Sequence, residues 1–347
     1  MNLSEFDFDL PDELIAQEGL RERDSSRLMV MHPDGRREHL FFRDILSFFK
    51  KGDLLVMNDT RVLPARLIGR KSSGGKVDVL VLSPENDRAS VGGGHQEAFI
   101  RGSNIKPGTR IEFGSPGNGG EDKFFAEVTE LVSGARFRVK FSHPDKIHTL
   151  AQLPIPPYIK KPLENPERYQ TVYSKNSGSL AAPTAGLHFT PELFKLLEAK
   201  GVELARITLH VGMGTFAPIR TEKVEDWKMH AEHYSVNAET AEKINACQKD
   251  GRRLFAVGTT TIRTLESVAS DGAVHSGESW SEIFIYPGYE FKLKYAGMVT
   301  NFHLPQSTLI LLTSAFAGRE KLLAAYKDAV QLRYRFYSLG DAMLILK

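Results

Sequence analysis

Three histidines stand in turns where an imidazole could act on a ligand. His188 lies in "PTAGLHFT", His210 in "LHVGMGTF" and His303 in "TNFHLPQST". The first of these turns has only small residues before it reaches the histidine region. It is therefore compatible either with a plain connection or with backbone that comes close to a ligand contacted by His188.

Polar residues also follow two predicted buried strands, at the position where open α/β sheets bind ligands. Asn58, Asp59 and Thr60 end the first strand in "MNDTRVLPAR". Gly258 ends the second in "AVGTTTIRTLES", and the threonines after it present hydroxyls and backbone N–H groups at a helix N-terminus. Such a loop can bind a phosphate or a ribose, but simple capping of the helix by threonine explains it equally well.

Other chemistries are disfavoured by the spacing of the residues that they would need. The segment "MHAEHY" alternates like a strand, so His230 and His233 point to opposite faces, and no His-Glu-x-x-His motif occurs. A Gly-x-Ser-x-Gly elbow is also missing, and "HVGMGTF" lacks the third glycine of a dinucleotide-binding loop. We therefore expect no metal site, no serine hydrolase and no dinucleotide fold.

Composition places the chain among ordinary globular proteins. With 347 residues we expect two domains, and a net charge of +2 permits a nucleic-acid partner without requiring one. The single cysteine, Cys247, cannot form an internal disulfide, which favours a reducing compartment. The N-terminus is acidic, and "STLILLTSAFAG" is too short to span a bilayer. We expect a soluble, cytoplasmic protein with no membrane contact.

The elements that must position these residues fall into two patterns. Short alternating runs separated by Gly- and Pro-rich turns occupy residues 61–149 and predict a small antiparallel β-barrel. Residues 1–60 and 150–347 alternate strands with helices and predict an α/β domain with a mostly parallel sheet and flanking helices. The barrel is thus expected as an insertion in a discontinuous catalytic domain.

A basic run begins where the predicted barrel begins. Arg61, Arg66, Arg70, Lys71 and Lys76 occur with no acidic residue among them. Such a run is usually a solvated face, but at a domain junction it could also bind a phosphate backbone.

Long, unusual strings in the chain resemble one family over nearly its whole length, the S-adenosylmethionine:tRNA ribosyltransferase-isomerases of queuosine biosynthesis. The strings that carry the resemblance are "MNDTRVLPAR", "RYQTVYSKNSGSLAAPTAGLHFT", "ITLHVGMGTFAPIR", "AVGTTTIRTLES", "IFIYPGY", "TNFHLPQSTLILL" and "YRFYSLGDAMLI". The departures are small: methionine precedes Asn58, and serine replaces the usual alanine before Lys175.

The resemblance implies a reaction as well as a fold in which an α/β domain carries an inserted barrel. The ribosyl group of S-adenosylmethionine is transferred to 7-aminomethyl-7-deazaguanine at the wobble position of tRNA and isomerised. Epoxyqueuosine-tRNA, adenine and methionine are the products. S-adenosylmethionine is a consumed substrate, no cofactor or metal is implied, and we expect a monomer.

The resemblance also assigns candidate roles. The sulfonium acidifies the C5′ hydrogens, so a base must remove one of them, and a carboxylate could take the proton of the attacking amine. The catalytic candidates are His188, His210, His303 and Asp59. A helix N-terminus is expected to lower the pKa of His188 and keep it neutral. The candidates for substrate binding are Asn58, Thr60, Arg61, Pro183, Thr184, Gly186, Gly212, Gly214, Thr215, Phe216, Gly258, Thr259, Thr260, Arg263, Tyr286 and Asn301, and those for tRNA binding are Arg66, Arg70 and Lys71.

Two other functions stay open on the sequence. A non-enzymatic tRNA-binding module would explain the barrel and the basic run, but not the glycine and threonine loops of the α/β part. A tRNA methyltransferase would use the same S-adenosylmethionine but leave its ribose and adenine intact.

Overall fold

A computed structural model describes residues 1–82, 95–114, 124–212 and 219–347. The strands in these ranges are β1 Arg27–Met31, β2 Arg37–Phe41, β3 Leu54–Asn58, β4 Thr60–Val62, β5 Arg66–Lys71, β6 Lys76–Val81, β7 His95–Arg101, β8 Arg110–Phe113, β9 Phe125–Ser133, β10 Arg136–Phe141, β11 Asn176–Ser179, β12 Glu203–Leu209, β13 Glu232–Val236, β14 Leu254–Val257, β15 Ala269–Ser270, β16 Ala273–Val274, β17 Gly277–Ser281, β18 Gly297–Asn301 and β19 Ala342–Leu346. The α-helices are α1 Ile147–Leu150, α2 Pro191–Ala199, α3 Ala238–Lys249, α4 Thr259–Val268, α5 Thr308–Ala317 and α6 Arg319–Gln331.

The large sheet has the strand order β17-β13-β12-β3-β14-β18-β19-β1-β2. It is mixed rather than mostly parallel, because four of its eight neighbouring pairs are parallel (β12–β3, β3–β14, β14–β18 and β19–β1) and four are antiparallel. Two helices, α5 and α6, separate β18 from β19, and the chain re-enters the sheet in the opposite direction. Alternation of strands and helices in the sequence does not reveal this reversal.

Two hydrophobic clusters cover the faces of the sheet. Leu54 and Val56 of β3 belong to one cluster, with buried residues of α3, α4, α5 and α6, while Leu55 and Met57 belong to the other, with α2. Successive side chains of a strand point to opposite faces, so a strand buried on both sides is apolar throughout. This explains the continuous run "LLVM" in β3.

The strands β5 to β10 form a closed antiparallel barrel in the order β10-β7-β6-β5-β8-β9, which confirms the predicted barrel. Its interior is a separate apolar cluster that includes Val79, Ala98 and Val139. The predicted boundaries at residues 61 and 149 stay predictions, and the barrel strands lie between Arg66 and Phe141.

Some short elements are 3₁₀ turns rather than α-helices, among them Asp12–Leu14 and Phe42–Phe48, and helix α6 ends at Gln331. Within the described ranges, no helix is long and apolar enough to cross a membrane.

Candidate active site

The parallel strands β12, β3, β14 and β18 run in the same direction, so their carboxyl ends meet at one edge of the sheet. A cleft opens there against the start of helix α4. It is lined by Tyr158, Ala182, Pro183, Thr184, Ala185, Val211, Gly258, Thr259, Thr260, Thr300, Asn301, His303, Leu309, Tyr337 and Ser338. We call this set the substrate cleft. It brings together seven residues predicted from three separate sequence motifs.

His188 is held from both sides at the border of the cleft. Its Nδ1 lies 2.8 Å from Oγ of Ser26, and its Nε2 accepts from Nδ2 of Asn301 at 3.1 Å. The ring also stacks on Phe42. Because the amide of Asn301 donates to Nε2, the proton of the neutral imidazole is on Nδ1.

Burial, together with the positive charges of Arg335 and Arg23, lowers the pKa of His188 to about 3. The direction agrees with the expectation from the sequence, but the cause is burial, since His188 closes the 3₁₀ turn Thr184–His188 and lies before helix α2. A base with so low a pKa is poorly matched to proton transfer at neutral pH. The geometry favours a positioning role for His188.

His303 is also a neutral, buried imidazole. Its Nε2 lies 2.8 Å from Oγ1 of Thr300, and its backbone N–H donates to the hydroxyl of Tyr326. Burial lowers its pKa to about 3. His303 lines the substrate cleft, whereas His210 does not.

The two buried imidazoles predict a protein that loses stability in acid. Between pH 6.5 and about 3, His188 and His303 bind protons in the unfolded chain but stay neutral in the folded state. The free energy of unfolding therefore falls as the pH drops through this window, by up to about 1.4 kcal/mol per pH unit for each histidine. In urea titrations from pH 4 to 6, His303→Gln should reduce this slope by about that amount. His275→Gln, at an exposed position, should leave it unchanged.

Asp59, Thr60 and His210 form a second network beyond the end of β3. Oδ1 of Asp59 accepts from Oγ1 of Thr208 at 2.7 Å and from Nδ2 of Asn176 at 3.0 Å. Oγ1 of Thr60 lies 2.8 Å from Nδ1 of His210 and 3.4 Å from the carbonyl oxygen of Asn176, so Asn176 links His210 to Asp59. The structure thus separates the four catalytic candidates. His303 lines the substrate cleft, His188 lies behind it in contact with Asn301 of its wall, and Asp59 and His210 belong to this network.

Two amides proposed for substrate binding are engaged within the protein. Nδ2 of Asn58 donates to the carbonyl of Leu209 and to Oγ1 of Thr260, and its Oδ1 accepts two backbone N–H groups. Asn301 donates to His188 and accepts from Oγ1 of Thr184. These side chains fix the shape of the cleft wall.

Gly186 is required by a close contact within the protein rather than by a ligand. A Cβ at this position would lie 2.0 Å from the hydroxyl oxygen of Tyr173 and 3.0 Å from Cγ2 of Thr171. Both Tyr173 and Gly186 are buried. The small residues before His188 therefore allow the turn to pack on Tyr173.

Gly186→Ala should destabilise the protein by roughly 3 kcal/mol, at the upper end of what overpacking costs. Tyr173→Phe removes the closest atom, so the double variant should be more stable than the sum of the single effects predicts. Gly19→Ala is the control, since its Cβ would meet only Leu339 at 4.0 Å. Thermal unfolding measures all four variants. An unchanged midpoint for Gly186→Ala would contradict the contact.

Beside the substrate cleft lies a buried guanidinium whose hydrogen-bond donors are only partly satisfied. Arg263, in the second turn of α4, forms an ion pair with Glu232, and Oε1 of Glu232 accepts from the backbone N–H of Gly212. Nε and Nη2 of Arg263 and Oγ1 of Thr308 are buried with no hydrogen-bond partner in the part of the chain that the structure describes. Both side chains line a cavity that shares Thr259 and Thr260 with the cleft.

Buried donors without partners are costly, about 1–3 kcal/mol each, so a ligand that accepts hydrogen bonds from them would remove that cost. A guanidinium with two free N–H groups is suited to a carboxylate. Sequence reasoning selected Arg263 but missed Thr308 and Glu232. The signal for Thr308 was its place at the start of the helix after "LPQS".

The remaining substrate-binding candidates are distributed more widely. Arg61 donates to Oγ of Ser174 and pairs with Glu167, and Tyr286 packs against Phe284. Gly214, Thr215 and Phe216 lie outside the described residues.

The basic run is less free than the sequence suggests. Arg66 pairs with Asp78 of the neighbouring strand β6, with Nη2 at 2.6 Å from the carboxylate. Arg70 and Lys71 donate to the carbonyls of Gly74 and Ser103. Within the described ranges these two have no carboxylate within 4.0 Å, so they keep the charge that a phosphate would need.

Histidine, cysteine and carboxylate side chains do not gather into a metal-binding group of three or more anywhere in the described parts of the chain. Cys247 is buried in α3. Burial raises the pKa of its thiol.

Comparison with known proteins gives one consistent result. A family model described as "Queuosine biosynthesis protein" matches residues 3–345. Proteins named S-adenosylmethionine:tRNA ribosyltransferase-isomerase are similar over the full length: that of Thermoanaerobacter sp. (strain X514) is 50% identical over 100% of both chains, and that of Natranaerobius thermophilus is 48% identical over 99% of both. A crystal structure of S-adenosylmethionine tRNA ribosyltransferase from Thermotoga maritima matches with a TM-score of 0.55 and 37% identity, covering 99% of this chain and 100% of that one.

Proposed function

The chain belongs to the queuosine biosynthesis protein family, and we propose that its substrate cleft and the adjoining cavity at Arg263 hold S-adenosylmethionine during the reaction. It is an enzyme, an S-adenosylmethionine:tRNA ribosyltransferase-isomerase that uses S-adenosylmethionine and tRNA. The observation that supports the location is the set of buried, unpartnered donors on Arg263 and Thr308. They would bind the carboxylate of the methionine part.

The acceptor in this proposal is 7-aminomethyl-7-deazaguanine at the wobble position of tRNA. Its amine must lose a proton to act as a nucleophile, and a buried carboxylate is suited to accept it. Asp59 is the candidate. Both side-chain hydrogen bonds that it accepts from described residues reach Oδ1, and no cation pairs with it among those residues, in contrast to Asp53 and Asp341.

Adenine must leave C1′, and the side chains at the start of α4 are placed to surround it. Thr259 and Thr260 lie in both cavities, between Arg263 and the cleft residues Thr300 and His303. With the carboxylate at Arg263, the ribose and adenine would extend past these threonines. After transfer and isomerisation of the ribosyl group, the modified tRNA would carry epoxyqueuosine.

One assay separates this function from its two alternatives. The purified protein is incubated with S-adenosylmethionine and tRNA that carries 7-aminomethyl-7-deazaguanine, and the small products are separated by liquid chromatography. We expect adenine and methionine in equal amounts. S-adenosylhomocysteine would instead indicate a methyltransferase, and tRNA binding without any product would indicate a binding module.

We propose that the reaction needs no metal or redox cofactor and that the enzyme acts as a cytoplasmic monomer. The basis is the chemistry, because the sulfonium itself activates the ribosyl donor. Dialysis against a chelator should leave the rate of adenine release within about twofold of its starting value, with the tRNA folded beforehand in magnesium. Loss of activity that only zinc restores would contradict the proposal.

A further inference from the structure

We propose that a second pocket, on the far side of His188 from the substrate cleft, binds a backbone phosphate of the tRNA beside the reacting nucleotide. We call it the arginine pocket, and the residues that define it here are Arg23, Arg168, Arg335, His188 and Ser338. The inference rests on the proposed function, because it takes tRNA as the substrate that enters the cleft.

The charges of this pocket are poorly compensated. Arg23 donates to the carbonyls of Leu187 at 3.1 Å and Glu167 at 3.3 Å, and Arg168 donates to the carbonyl of Leu20. Neither guanidinium has a carboxylate within 4.0 Å among the described residues, since the carboxylate of Glu167 pairs with Arg61. Backbone carbonyls thus orient the two groups without neutralising them.

The third guanidinium adds to this excess. Nε of Arg335 lies 3.5 Å from Oδ1 of Asp341, but that carboxylate also pairs with Arg27. Three arginines therefore line the pocket, and the only carboxylate that pairs with any of them among the described residues is that of Asp341, which Arg335 shares with Arg27. Guanidinium groups recognise phosphate oxygens through pairs of parallel hydrogen bonds, so a phosphate matches both the charge and the donors.

The pKa values of the free protein also show repulsion among positive charges in this pocket. Burial and the neighbouring charge of Arg168 lower the pKa of Arg23 to about 10. The charges of Arg335 and Arg23 add to burial in lowering the pKa of His188. A bound anion would reduce this repulsion, which is why the pocket favours one.

The position identifies the anion as a phosphate of the substrate. Ser338 lines both the arginine pocket and the cleft, and His188 contacts Ser26 on the pocket side and Asn301 on the cleft side. A nucleotide whose base reacts in the cleft carries a phosphate on each side of its ribose. The carboxylate of S-adenosylmethionine is placed at Arg263 instead, in the cavity beyond Thr259 and Thr260.

The test replaces phosphates one at a time in the substrate and leaves the protein intact. A series of anticodon stem-loops carries a single neutral methylphosphonate at successive positions around the wobble nucleotide, and Kd is measured for the full-length enzyme. We expect one position, or two adjacent ones, to weaken binding by about tenfold or more. Uniform small effects at every position would overturn the proposal.

A double-mutant cycle then assigns that phosphate to the pocket. Arg168→Gln should weaken binding of the unmodified stem-loop and lower its salt slope by about 0.7 to 0.9, while the sensitive methylphosphonate should cause no further loss. Arg37→Gln, which breaks an ion pair on strand β2, is the control and should keep the full methylphosphonate effect. Additive losses in Arg168→Gln would exclude this contact, and Arg23→Gln serves for the cycle if Arg168→Gln unfolds.

Inorganic phosphate distinguishes the substrate phosphate from a site for the free ion. It should compete with the stem-loop for the wild-type enzyme only at millimolar concentrations, and less with Arg168→Gln. Tight phosphate binding that leaves stem-loop affinity unchanged would contradict the proposal. If the wild-type enzyme releases no adenine with modified tRNA, the proposed function fails, whereas active enzyme without a sensitive phosphate position refutes the arginine pocket alone.

Discussion

Arg263→Lys should weaken binding of S-adenosylmethionine by about 10- to 100-fold, because hydrogen bonds to charged groups contribute roughly 1.5–3 kcal/mol. Lysine retains a positive charge for Glu232, whose carboxylate is 1% exposed and would be costly to leave unpaired. It cannot replace the two donor nitrogens of Arg263, Nε and Nη2, that have no partner among the described residues. Calorimetry on the purified variant measures the loss directly.

The matched control is Arg253→Lys. Arg253 pairs with buried Asp53 in the same manner, but it precedes strand β14, at the end of the sheet opposite the cleft. Both variants should lose stability, and only Arg263→Lys should lose affinity. Thr308→Val, which removes the unpartnered hydroxyl beside Arg263, should weaken binding several-fold. Wild-type affinity in both Arg263→Lys and Thr308→Val would place the methionine part elsewhere.

Asp59→Asn should lower kcat by about 10²- to 10⁴-fold, the range typical for loss of a general base. The substitution preserves shape, and an asparagine oxygen can still accept from Thr208 and Asn176. KM for both substrates should change little, because the effect falls on the proton-transfer step. Rates of adenine release at saturating substrates give the answer.

Thr208→Val is the control for Asp59, because it removes a hydrogen bond to the same carboxylate and keeps the carboxylate itself. Thr208→Val should lower the free energy of unfolding and reduce kcat only modestly. If Asp59→Asn turns over at the wild-type rate and merely unfolds at lower temperature, the carboxylate has a structural role. His210, in the same network through Thr60, then becomes the stronger candidate.

These tests probe two sides of one sheet edge. Asn58 bonds to Thr260 on the α4 side, while the next residue, Asp59, bonds to Asn176 and Thr208. Neighbouring residues at a strand end point in opposite directions. The motif "NDT" therefore connects the substrate cleft to the Asp59 network. Asn58 contacts the cleft residue Thr260, whereas Asp59 and Thr60 belong to the network.

The sequence by itself determined the family, the antiparallel barrel and the strands that end at the cleft. Those features are local: period-two alternation between glycine turns defines barrel strands, and an apolar run such as "LLVM" defines a strand buried on both faces. The carboxyl ends of neighbouring parallel strands meet at one edge, and Gly258 and Asn301, both selected from the sequence as substrate-binding candidates, line the same cleft there.

Only the tertiary structure decided which of these residues have hydrogen-bonding groups left for a ligand. The side-chain amides of Asn58 and Asn301 form hydrogen bonds to other segments of the protein, whereas Arg263 and Thr308 have buried donors without a partner among the described residues. The direction of β19 and the charges around His188 were likewise hidden, because Arg23 and Arg335 are far from it in the chain. Strand direction, hydrogen-bond satisfaction and the pKa of a buried group depend on partners distant in sequence, and a local pattern contains no information about them.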